Sequence, residues 1–242
     1  KYYDIDKVKL DKCFLENNID AFIHCATDYG RKKIDPMQII DSNLIFPLKL
    51  MEIAINNNCK IFLNTDTILD KRVNSYSLSK SQFLDWFKIY SEKAICINIV
   101  LEHFYGPFDD KSKFVASIIK KLVNNESHIN FTLGEQKRDF IYIDDVVDAF
   151  KIVLENIINM KNGFYSYEIG TGKFISIKKI VTVIKELIGN STTNLYFGAI
   201  PYRTSEIMEP KMDLNPIKKI GWKPMTKLVN GLKKTIESEI KK

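Results

Sequence analysis

The chain has 242 residues, enough to bury a full hydrophobic core in one large domain or in two closely joined ones. Its content of 45% hydrophobic and 27% charged residues is typical of a soluble globular protein. The net charge of +6 comes from scattered lysines, so a nucleic-acid-binding stripe is not expected. No apolar run is long enough to cross a bilayer, and the polar residues 1–6 predict no secretory signal. We therefore expect a cytoplasmic protein that binds neither nucleic acid nor membrane.

The four cysteines favour a reducing compartment. Cys13, Cys25, Cys59 and Cys96 form no Cys-x-x-Cys pair, and the last three lie in or beside apolar runs. Cysteines in such surroundings are usually buried free thiols. We predict no metal site.

Four short apolar segments, rich in β-branched or aromatic residues, predict buried parallel strands. They cover residues 19–26, 59–65, 94–102 and 164–170. Helical periodicity over residues 36–57 and 76–91 separates the first three segments. This alternation predicts an α/β fold in which helices cover a parallel sheet.

The second half of the chain predicts a smaller α+β lobe. Residues 144–159 form an amphipathic helix with Asp144 and Asp145 at its N-terminus, where carboxylates are favourable. Residues 128–133 and 194–200 look like shorter strands outside the main sheet. The other predicted helices of this part are Phe114–Val123, Ile177–Ile188 and Leu228–Ile240.

Polar or small residues follow each of the four main strands. In open α/β sheets, ligands bind at the carboxyl ends of the strands, so these positions converge on one crevice. The residues at these ends are Ala26-Thr27, Thr65-Asp66, Glu102-His103 and Gly170-Thr171-Gly172. We expect the functional site at this edge.

Tyr76 and Lys80 are the strongest catalytic candidates. Residues four apart on a helix share one face, so the Lys80 ammonium is expected to lower the pKa of the Tyr76 phenol. Thr65, at the end of the preceding strand, is placed to hold a substrate oxygen beside that phenol. This set suits proton transfer at a carbinol or carbonyl oxygen. The alternative is a half-buried Tyr with a Lys that extends to solvent.

Other residues near the strand ends carry two interpretations each. Asp66 is either an Asx turn or a carboxyl beside the substrate carbonyl. Asn43 either bonds across to a strand end or is exposed, since an interior Asn weakens a helix. Ala26 would let a cofactor approach the backbone closely, whereas His24 is better explained by strand packing.

Two charged segments lie further along the chain. Residues 138–145 predict a strand that leads into a capped helix, with Arg138 and Asp139 as an ion pair. Arg203 and Glu206 form either an exposed ion pair or a clamp for a diphosphate and a ribose.

Taken in chain order, these residues resemble the extended short-chain dehydrogenase/reductase family that acts on nucleotide sugars. The resemblance is carried by His24–Thr27, Asn43, Asn64–Asp66, Tyr76 with Lys80, Tyr105–Pro107, Arg138–Phe140 with Asp144-Asp145, Gly170–Gly172, and Arg203 with Glu206. Residues 61–66, 101–107, 134–141, 197–200, 206–208 and 221–224 are most similar to members that reduce the C4 ketone of a CDP-linked 4-keto-6-deoxyhexose. The resemblance implies NADP or NAD as cofactor, a nucleotide-sugar substrate and a homodimer formed by the helices after Pro36 and from Tyr76.

The resemblance also implies roles for individual residues. Tyr76 would donate a proton to the C4 oxygen, Lys80 would bind the nicotinamide ribose, and Thr65 would orient the C4 oxygen with Asp66 nearby. The remaining implied cofactor contacts are Cys25, Ala26, Thr27, Asn43, Leu101 and His103. The remaining implied substrate contacts are Phe114, Arg138, Arg203 and Glu206.

Members of the family open with a strand and a Gly-rich turn, and no segment of this chain matches them. We expect about 50–60 residues of such a segment, roughly one and a half βαβ units, to be absent before Lys1. The predicted fold is a doubly wound Rossmann-type sheet over residues 1–103 and 138–176, without its first strands. Residues 104–137 and 177–242 would form the substrate lobe. The residue that determines the preference for NAD or NADP is expected in that absent segment.

The strand end Thr65-Asp66-Thr67 bears on the reaction. Dehydratases of the family carry Glu at the third position as a general base, and Thr cannot replace it. A combined epimerase–reductase would use a Cys close after Thr65, but none lies between Cys59 and Cys96. A 4-epimerase needs only Thr65, Tyr76 and Lys80, so it stays open beside the reductase. A catalytically inactive NAD-binding module is the second alternative.

Overall fold

The computed structural model describes residues 10–31, 35–204 and 206–241. Its contacts divide the chain into two compact units, of which the first comprises Lys1–Leu101 and Asn156–Tyr167. The second unit comprises Glu102–Glu155 and Glu168–Lys242. The division of the chain into a dinucleotide-binding domain and a substrate lobe stays a prediction.

Helices and strands alternate along the described residues. The helices are α1 Lys12–Leu15, α2 Pro36–Ile40, α3 Phe46–Asn56, α4 Ser75–Tyr90, α5 Phe114–Val123, α6 Ile143–Asn156, α7 Ile177–Ile188, α8 Asn215–Lys219 and α9 Leu228–Ile240. The strands are β1 Phe22–His24, β2 Ile61–Thr67, β3 Ile95–Leu101, β4 His103–Tyr105, β5 His128–Phe131, β6 Lys137–Tyr142, β7 Gly163–Ile169, β8 Phe174–Ser176 and β9 Asn194–Phe197. A π-helical turn, Asp41–Ile45, joins α2 to α3, and a 3₁₀ turn, Ile157–Asn159, follows α6.

A four-stranded sheet in the order β1-β2-β3-β7 organises the first unit. β1 pairs in parallel with β2, and β2 pairs in parallel with β3, as the apolar runs separated by helices predict. Large side chains of α3 and α4, among them Met51, Phe83 and Phe87, pack with Phe62 of β2 in one core. The helices are therefore fixed against the strands whose ends carry the candidate site.

The segment from Pro36 to Asn56 is helical throughout but widens at its centre. Asp35 caps its start, with its side chain accepting from the backbone N–H of Met37 at 3.0 Å. At the wide turn the backbone N–H of Phe46 donates to the carbonyl of Asp41, five residues back. Pro47 has no N–H for the carbonyl four residues earlier, so the regular ladder is interrupted there.

The second unit contains two smaller sheets. β4 pairs in parallel with β6, which pairs antiparallel with β8, and β5 pairs in parallel with β9. Helices α5, α7 and α9 pack on these strands around a second core that includes Ile119, Ile180 and Leu232. Ser176 caps α7, and Gly189 ends it in the left-handed conformation at φ 72°.

The predicted α/β architecture is confirmed, with differences at the level of single elements. The first predicted strand, residues 19–26, is extended only over Phe22–His24. Strands β4 and β8 and helices α1 and α8 are absent from the expectations, because three to five residues carry too little periodicity to be recognised. Cys59 and Cys96 are buried as expected, but Cys25 is exposed because β1 ends one residue before it.

None of the described helices has both the length and the apolar character needed to span a membrane. Within the same residues, His, Cys, Asp and Glu side chains form no group of three that could hold a metal ion.

Candidate active site

The N-terminus of α4 places Tyr76 and Lys80 beside the sheet. Asn74 caps the helix by accepting from the backbone N–H of Ser77 at 2.8 Å, and Ser77 returns a bond to the Asn74 backbone. Tyr76 therefore lies in the first turn of the helix. Lys80 lies one turn later and is 1% exposed, so almost all of its side chain is enclosed.

The phenol of Tyr76 is covered by a second tyrosine. The ring centroids of Tyr29 and Tyr76 lie 4.9 Å apart, and the guanidinium of Arg31 lies 4.6 Å from the centroid of the Tyr29 ring. Burial raises the pKa of Tyr76, and the nearby Tyr29 and Asp66 add to the rise. The prediction that the pKa of Tyr76 is lowered is wrong for this structure, because burial, Tyr29 and Asp66 all favour the neutral phenol and together outweigh the opposing effects of Thr67 and Arg31.

Asn43 holds the loop that carries Tyr29. Its side-chain oxygen accepts from Thr27 Oγ1 at 3.0 Å and from the Asp28 N–H at 2.8 Å. Its side-chain nitrogen donates to the Asp28 carbonyl at 2.9 Å and to Ser79 Oγ at 3.0 Å. Of the two interpretations of Asn43, the structure has the bonded one: the residue is buried and bonds to the loop that follows β1. The same residue ties that loop to α4.

The end of β2 presents Thr65 and Asp66. The hydroxyl of Thr65 donates to the His24 carbonyl at 3.1 Å. One carboxylate oxygen of Asp66 accepts from the Thr67 N–H at 2.8 Å, and the other accepts from Asn98 Nδ2 at 2.9 Å. Asp66 is 9% exposed, so most of its carboxylate is enclosed by the protein.

Two asparagines of this region were not among the predicted site residues. Asn64 and Asn98 are both 1% exposed and face each other across β2 and β3, with Asn64 Nδ2 donating to Asn98 Oδ1 at 2.8 Å. Asn64 also accepts from Lys80 Nζ at 3.4 Å. Their position in the sequence could have identified them, because burying an asparagine within an apolar strand costs free energy unless its amide is hydrogen-bonded.

His24 is a packed core residue, as its sequence context predicted. Its ring lies 5.9 Å from that of Phe83 and 6.3 Å from those of Phe22 and Phe46. No described residue bonds to its Nε2. Burial, together with the charge of Lys80, lowers the pKa of His24 to about 4.

The buried neutral His24 predicts a pH dependence of stability. His24 protonates near pH 6.5 in the unfolded chain but only near pH 4 in the folded one, so the free energy of unfolding falls as the pH drops between these values. The full loss is about 3 kcal/mol. Urea unfolding at pH 7.5 and pH 4.5 measures it, and His24→Phe should lose less stability than wild type over this range. Equal losses in the two proteins would contradict the prediction.

The candidate residues of the second unit form two groups. The rings of His103 and Phe114 lie 5.7 and 6.2 Å from that of Phe140, and His103 Nδ1 lies 3.4 Å from the buried carboxylate of Glu102. In the first unit, Leu101 ends β3 and is partly buried.

Arg138 forms the second group with the segment that contains Glu206. It pairs with the Glu206 carboxylate and donates to the Ile207 carbonyl at 2.6 Å. Asp139 instead accepts from the Thr171 hydroxyl and from the Gly172 N–H. The predicted ion pair between Arg138 and Asp139 is therefore wrong, because successive side chains of a strand point to opposite faces.

Glu206 is likewise not paired with Arg203 through its side chain. The Glu206 backbone N–H donates to the Arg203 carbonyl at 3.1 Å, while the Glu206 carboxylate accepts from the Arg138 guanidinium. Arg203 itself is exposed.

Two known proteins of similar sequence share one function. A CDP-abequose synthase of Salmonella muenchen is 37% identical over 96% of this chain and 80% of that protein. A CDP-abequose synthase of Salmonella typhimurium is 32% identical over 97% of this chain and 81% of that protein. The likeness to this kind of enzyme read from residues 101–107 and 134–141 is thereby confirmed.

Solved structures show the same fold at lower identity. A UDP-glucose 4-epimerase of Thermotoga maritima, solved with UDP-glucose, superimposes with a TM-score of 0.83 at 23% identity, over 96% of this chain and 81% of that one. A UDP-glucose 4-epimerase of Thermus thermophilus, solved with NAD, gives 0.79 at 16% identity, over 95% and 80%. Residues 3–170 match the sequence pattern of the NAD dependent epimerase/dehydratase family. The chain belongs to that family.

Proposed function

We propose that the protein uses NADPH or NADH to reduce the C4 ketone of a nucleotide-linked 4-keto-6-deoxyhexose, with CDP as the nucleotide. The observation that carries the proposal is the 37% identity to a CDP-abequose synthase over 96% of the chain. Thr65, Tyr76 and Lys80 together supply the proton chemistry that such a reduction needs. We place the reaction in the cytoplasm, in the synthesis of a deoxysugar for surface polysaccharide.

The residues around Lys80 fit the nicotinamide ribose. The Lys80 ammonium makes one hydrogen bond within the described chain, to Asn64, so two of its three N–H donors remain for ribose hydroxyls. Cys25 and Ala26, at the end of β1, are exposed and have small side chains that allow close approach. Thr27, Leu101 and His103 are proposed as further contacts to the cofactor.

Tyr76 is proposed as the proton donor. A bound nicotinamide cofactor supplies the hydride to C4. The oxygen at C4 then gains negative charge and needs a proton from a group that is still protonated at neutral pH. The raised pKa of Tyr76 ensures that the phenol carries that proton.

Thr65 is proposed to orient the C4 oxygen. Its hydroxyl donates to the His24 carbonyl at 3.1 Å in this structure, so donation to a ketone requires the O–H to rotate. A hydroxyl can turn in this way without moving its oxygen. Thr65 then holds the ketone while Tyr76 delivers the proton.

The second unit is proposed to bind the nucleotide end of the substrate. Arg203 is exposed, and a guanidinium fork suits the oxygens of a diphosphate. The ion pair of Arg138 with Glu206 fixes the loop that carries Arg203. This ion pair is proposed to lie beside the bound nucleotide. Phe114 is proposed to contact the sugar through its ring.

An NAD-dependent 4-epimerase is the second candidate, since it uses the same Thr65, Tyr76 and Lys80 and the solved neighbours are epimerases. The distinguishing quantity is the stoichiometry of the cofactor. An epimerase regenerates its cofactor in each cycle, whereas a reductase consumes one reduced nicotinamide for each product.

The test mixes full-length protein with NADPH or NADH and CDP-4-keto-6-deoxyglucose and follows the absorbance of the reduced nicotinamide. We expect a stoichiometric loss of absorbance, and NMR of the product then gives the configuration at C4. An unchanged absorbance with tightly bound NAD in the purified protein would move the assignment to an epimerase.

We further propose a homodimer that pairs α3 and α4 with their copies. α3 and the turn before it border an apolar groove of about 390 Å³. Its lining residues are Leu10, Ile45, Leu48, Lys49, Glu52 and Ile53. On α4, the side chains of Leu78, Trp86 and Ile89 share one face and are 44%, 49% and 61% exposed. A second copy of the same face would cover both sets of apolar side chains.

The double substitution Trp86→Glu and Ile89→Glu should convert the dimer to a monomer, because carboxylates in an apolar interface lose their hydration. Sedimentation velocity at micromolar concentration measures the change. Val147→Glu, an equally exposed apolar position on α6, should leave the dimer intact. A wild-type protein that sediments as a monomer would refute the proposal.

A further inference from the structure

A continuous series of hydrogen bonds links Lys80 to Asp66 through two buried amides. Lys80 Nζ donates to Asn64 Oδ1 at 3.4 Å, and Asn64 Nδ2 donates to Asn98 Oδ1 at 2.8 Å. Asn98 Nδ2 then donates to Asp66 Oδ2 at 2.9 Å. Lys80, Asn64 and Asn98 are each 1% exposed, so the series runs through the protein interior.

The chemistry of its two ends fixes the direction of this series. An ammonium can only donate hydrogen bonds, and a carboxylate can only accept them. Both amides must therefore present their oxygen toward Lys80 and their nitrogen toward Asp66. Aligned in this way, the amide dipoles reinforce one another in a low-dielectric interior and connect a positive end to a negative one.

The pairing of β2 with β3 places the amides of Asn64 and Asn98 opposite each other. Asn64 and Asn98 are register partners in the parallel pair β2–β3, so their side chains leave the sheet on the same face. Neighbouring positions of both strands, among them Leu63 and Ile97, are fully buried apolar residues. Two asparagines in such strands are costly unless each finds its partner, and here each does.

We propose that Asn64, Asn98 and Asp66 act as positioning residues that hold the Lys80 ammonium in place and keep it charged for catalysis. The role of the charged Lys80 rests on the proposed reductase function. Both oxygens of Asp66 are already bonded within the chain, to Asn98 and to the Thr67 N–H. These bonds fix the orientation of the Asp66 carboxylate at the end of the series, and through it Asp66 acts on Lys80.

The charges around Lys80 support this reading. Burial lowers the pKa of Lys80, and the carboxylate of Asp66 and the thiol of Cys25 oppose that effect. Two further titratable groups among the described residues lie close to Lys80. His24 is neutral because its pKa is lowered to about 4, and Tyr76, one turn earlier on α4, is neutral because its pKa is raised. The carboxylate of Asp66 is thus the main negative charge that offsets the cost of burying the ammonium.

The decisive variant is Asp66→Asn, because it removes the charge and keeps the shape and an acceptor oxygen. The pKa of Lys80 is followed by NMR of ¹³Cε-labelled lysine, with Lys80→Met identifying the resonance. We expect Asp66→Asn to lower the pKa of Lys80 by about one pH unit. Asp148→Asn, which removes an exposed carboxylate from α6, should leave it unchanged. An unchanged pKa of Lys80 in Asp66→Asn overturns the proposal.

The activity measurement adds a second readout. In Asp66→Asn, the pH above which kcat falls should lie about one unit lower than in wild type, because kcat follows the charged fraction of Lys80. A loss of kcat that is equal at every pH, with no change in the pKa of Lys80, would assign Asp66 to the substrate and overturn the proposal.

A third variant tests the amides. Asn98→Ala interrupts the series without touching either charge and should also lower the pKa of Lys80, with circular dichroism confirming the fold. If wild-type protein lacks reductase activity while the pKa of Lys80 still shifts in these variants, the positioning of Lys80 stands and the proposed reaction fails.

Discussion

Replacing Tyr76 with Phe should reduce kcat by about 10²- to 10⁴-fold, the usual contribution of a general acid. The substitution removes the hydroxyl that donates the proton and keeps the ring that packs 4.9 Å from Tyr29. The fold and the binding of reduced cofactor should therefore persist. Stopped-flow single turnovers measure the chemical step, and fluorescence of the bound nicotinamide measures its affinity.

A matched control is available on the same helix. Tyr90→Phe removes a hydroxyl that bonds to Glu52 near the C-terminus of α4, away from the strand ends. It should leave kcat within about twofold of wild type, as expected for a surface change. Residual activity of Tyr76→Phe within threefold of wild type would show that another group donates the proton. Loss of cofactor binding in the same variant would show a structural role.

The pH dependence separates Tyr76 from Lys80. The pKa of Tyr76 is raised above its usual value of 10, so its ionisation does not limit the rate between pH 7 and pH 9. Burial lowers the pKa of Lys80, so any loss of kcat toward pH 9 is assigned to Lys80.

Replacing Asp145 with Ala should lower the free energy of unfolding by about 3 kcal/mol, because it deprives two backbone N–H groups and the Thr226 hydroxyl of a buried, charged acceptor. Asp145 is 5% exposed and accepts from the Met225 N–H at 3.1 Å and from the Thr226 N–H at 3.0 Å. The Asp145 carbonyl also accepts from Trp222 Nε1 at 3.1 Å. One residue of α6 therefore anchors a segment about 80 positions later.

The preceding residue provides the control. Asp144 is exposed, and its carboxylate lies 3.8 Å from Lys234 in a surface ion pair. Asp144→Ala should therefore change the free energy of unfolding by less than about 1 kcal/mol. Urea unfolding of both variants at pH 7 measures the difference. Equal effects of the two substitutions would show that the bonds of Asp145 contribute no more than a surface contact.

Local sequence patterns were sufficient to predict the features of the structure that a single segment determines. The spacing of Tyr76 and Lys80 is a property of one helix, and the short β-branched and aromatic runs around residues 61–67 and 95–101 favour buried strands. These two predictions rest on residues that are close in sequence. The class of enzyme was predicted differently, from the resemblance of motifs along the whole chain to one family.

The partners of the polar side chains were decided by packing of distant segments. Arg138 pairs with Glu206 and not with its neighbour Asp139, and Asp145 bonds to residues 225 and 226. The short strands β4 and β8 form because β6 offers them a free edge. Such short segments have too little periodicity to predict these pairings.

The chain by itself thus determined the α/β fold and the candidate acid with its lysine, since these follow from periodicity and spacing along single elements. The family followed from the resemblance of motifs along the whole chain. The tertiary structure decided the pKa of Tyr76 and the connection from Lys80 to Asp66. Both depend on burial and on the register that brings Asn64 opposite Asn98. The desolvation of a charged or polar group is set by all the segments that surround it, and only the folded chain brings those segments together.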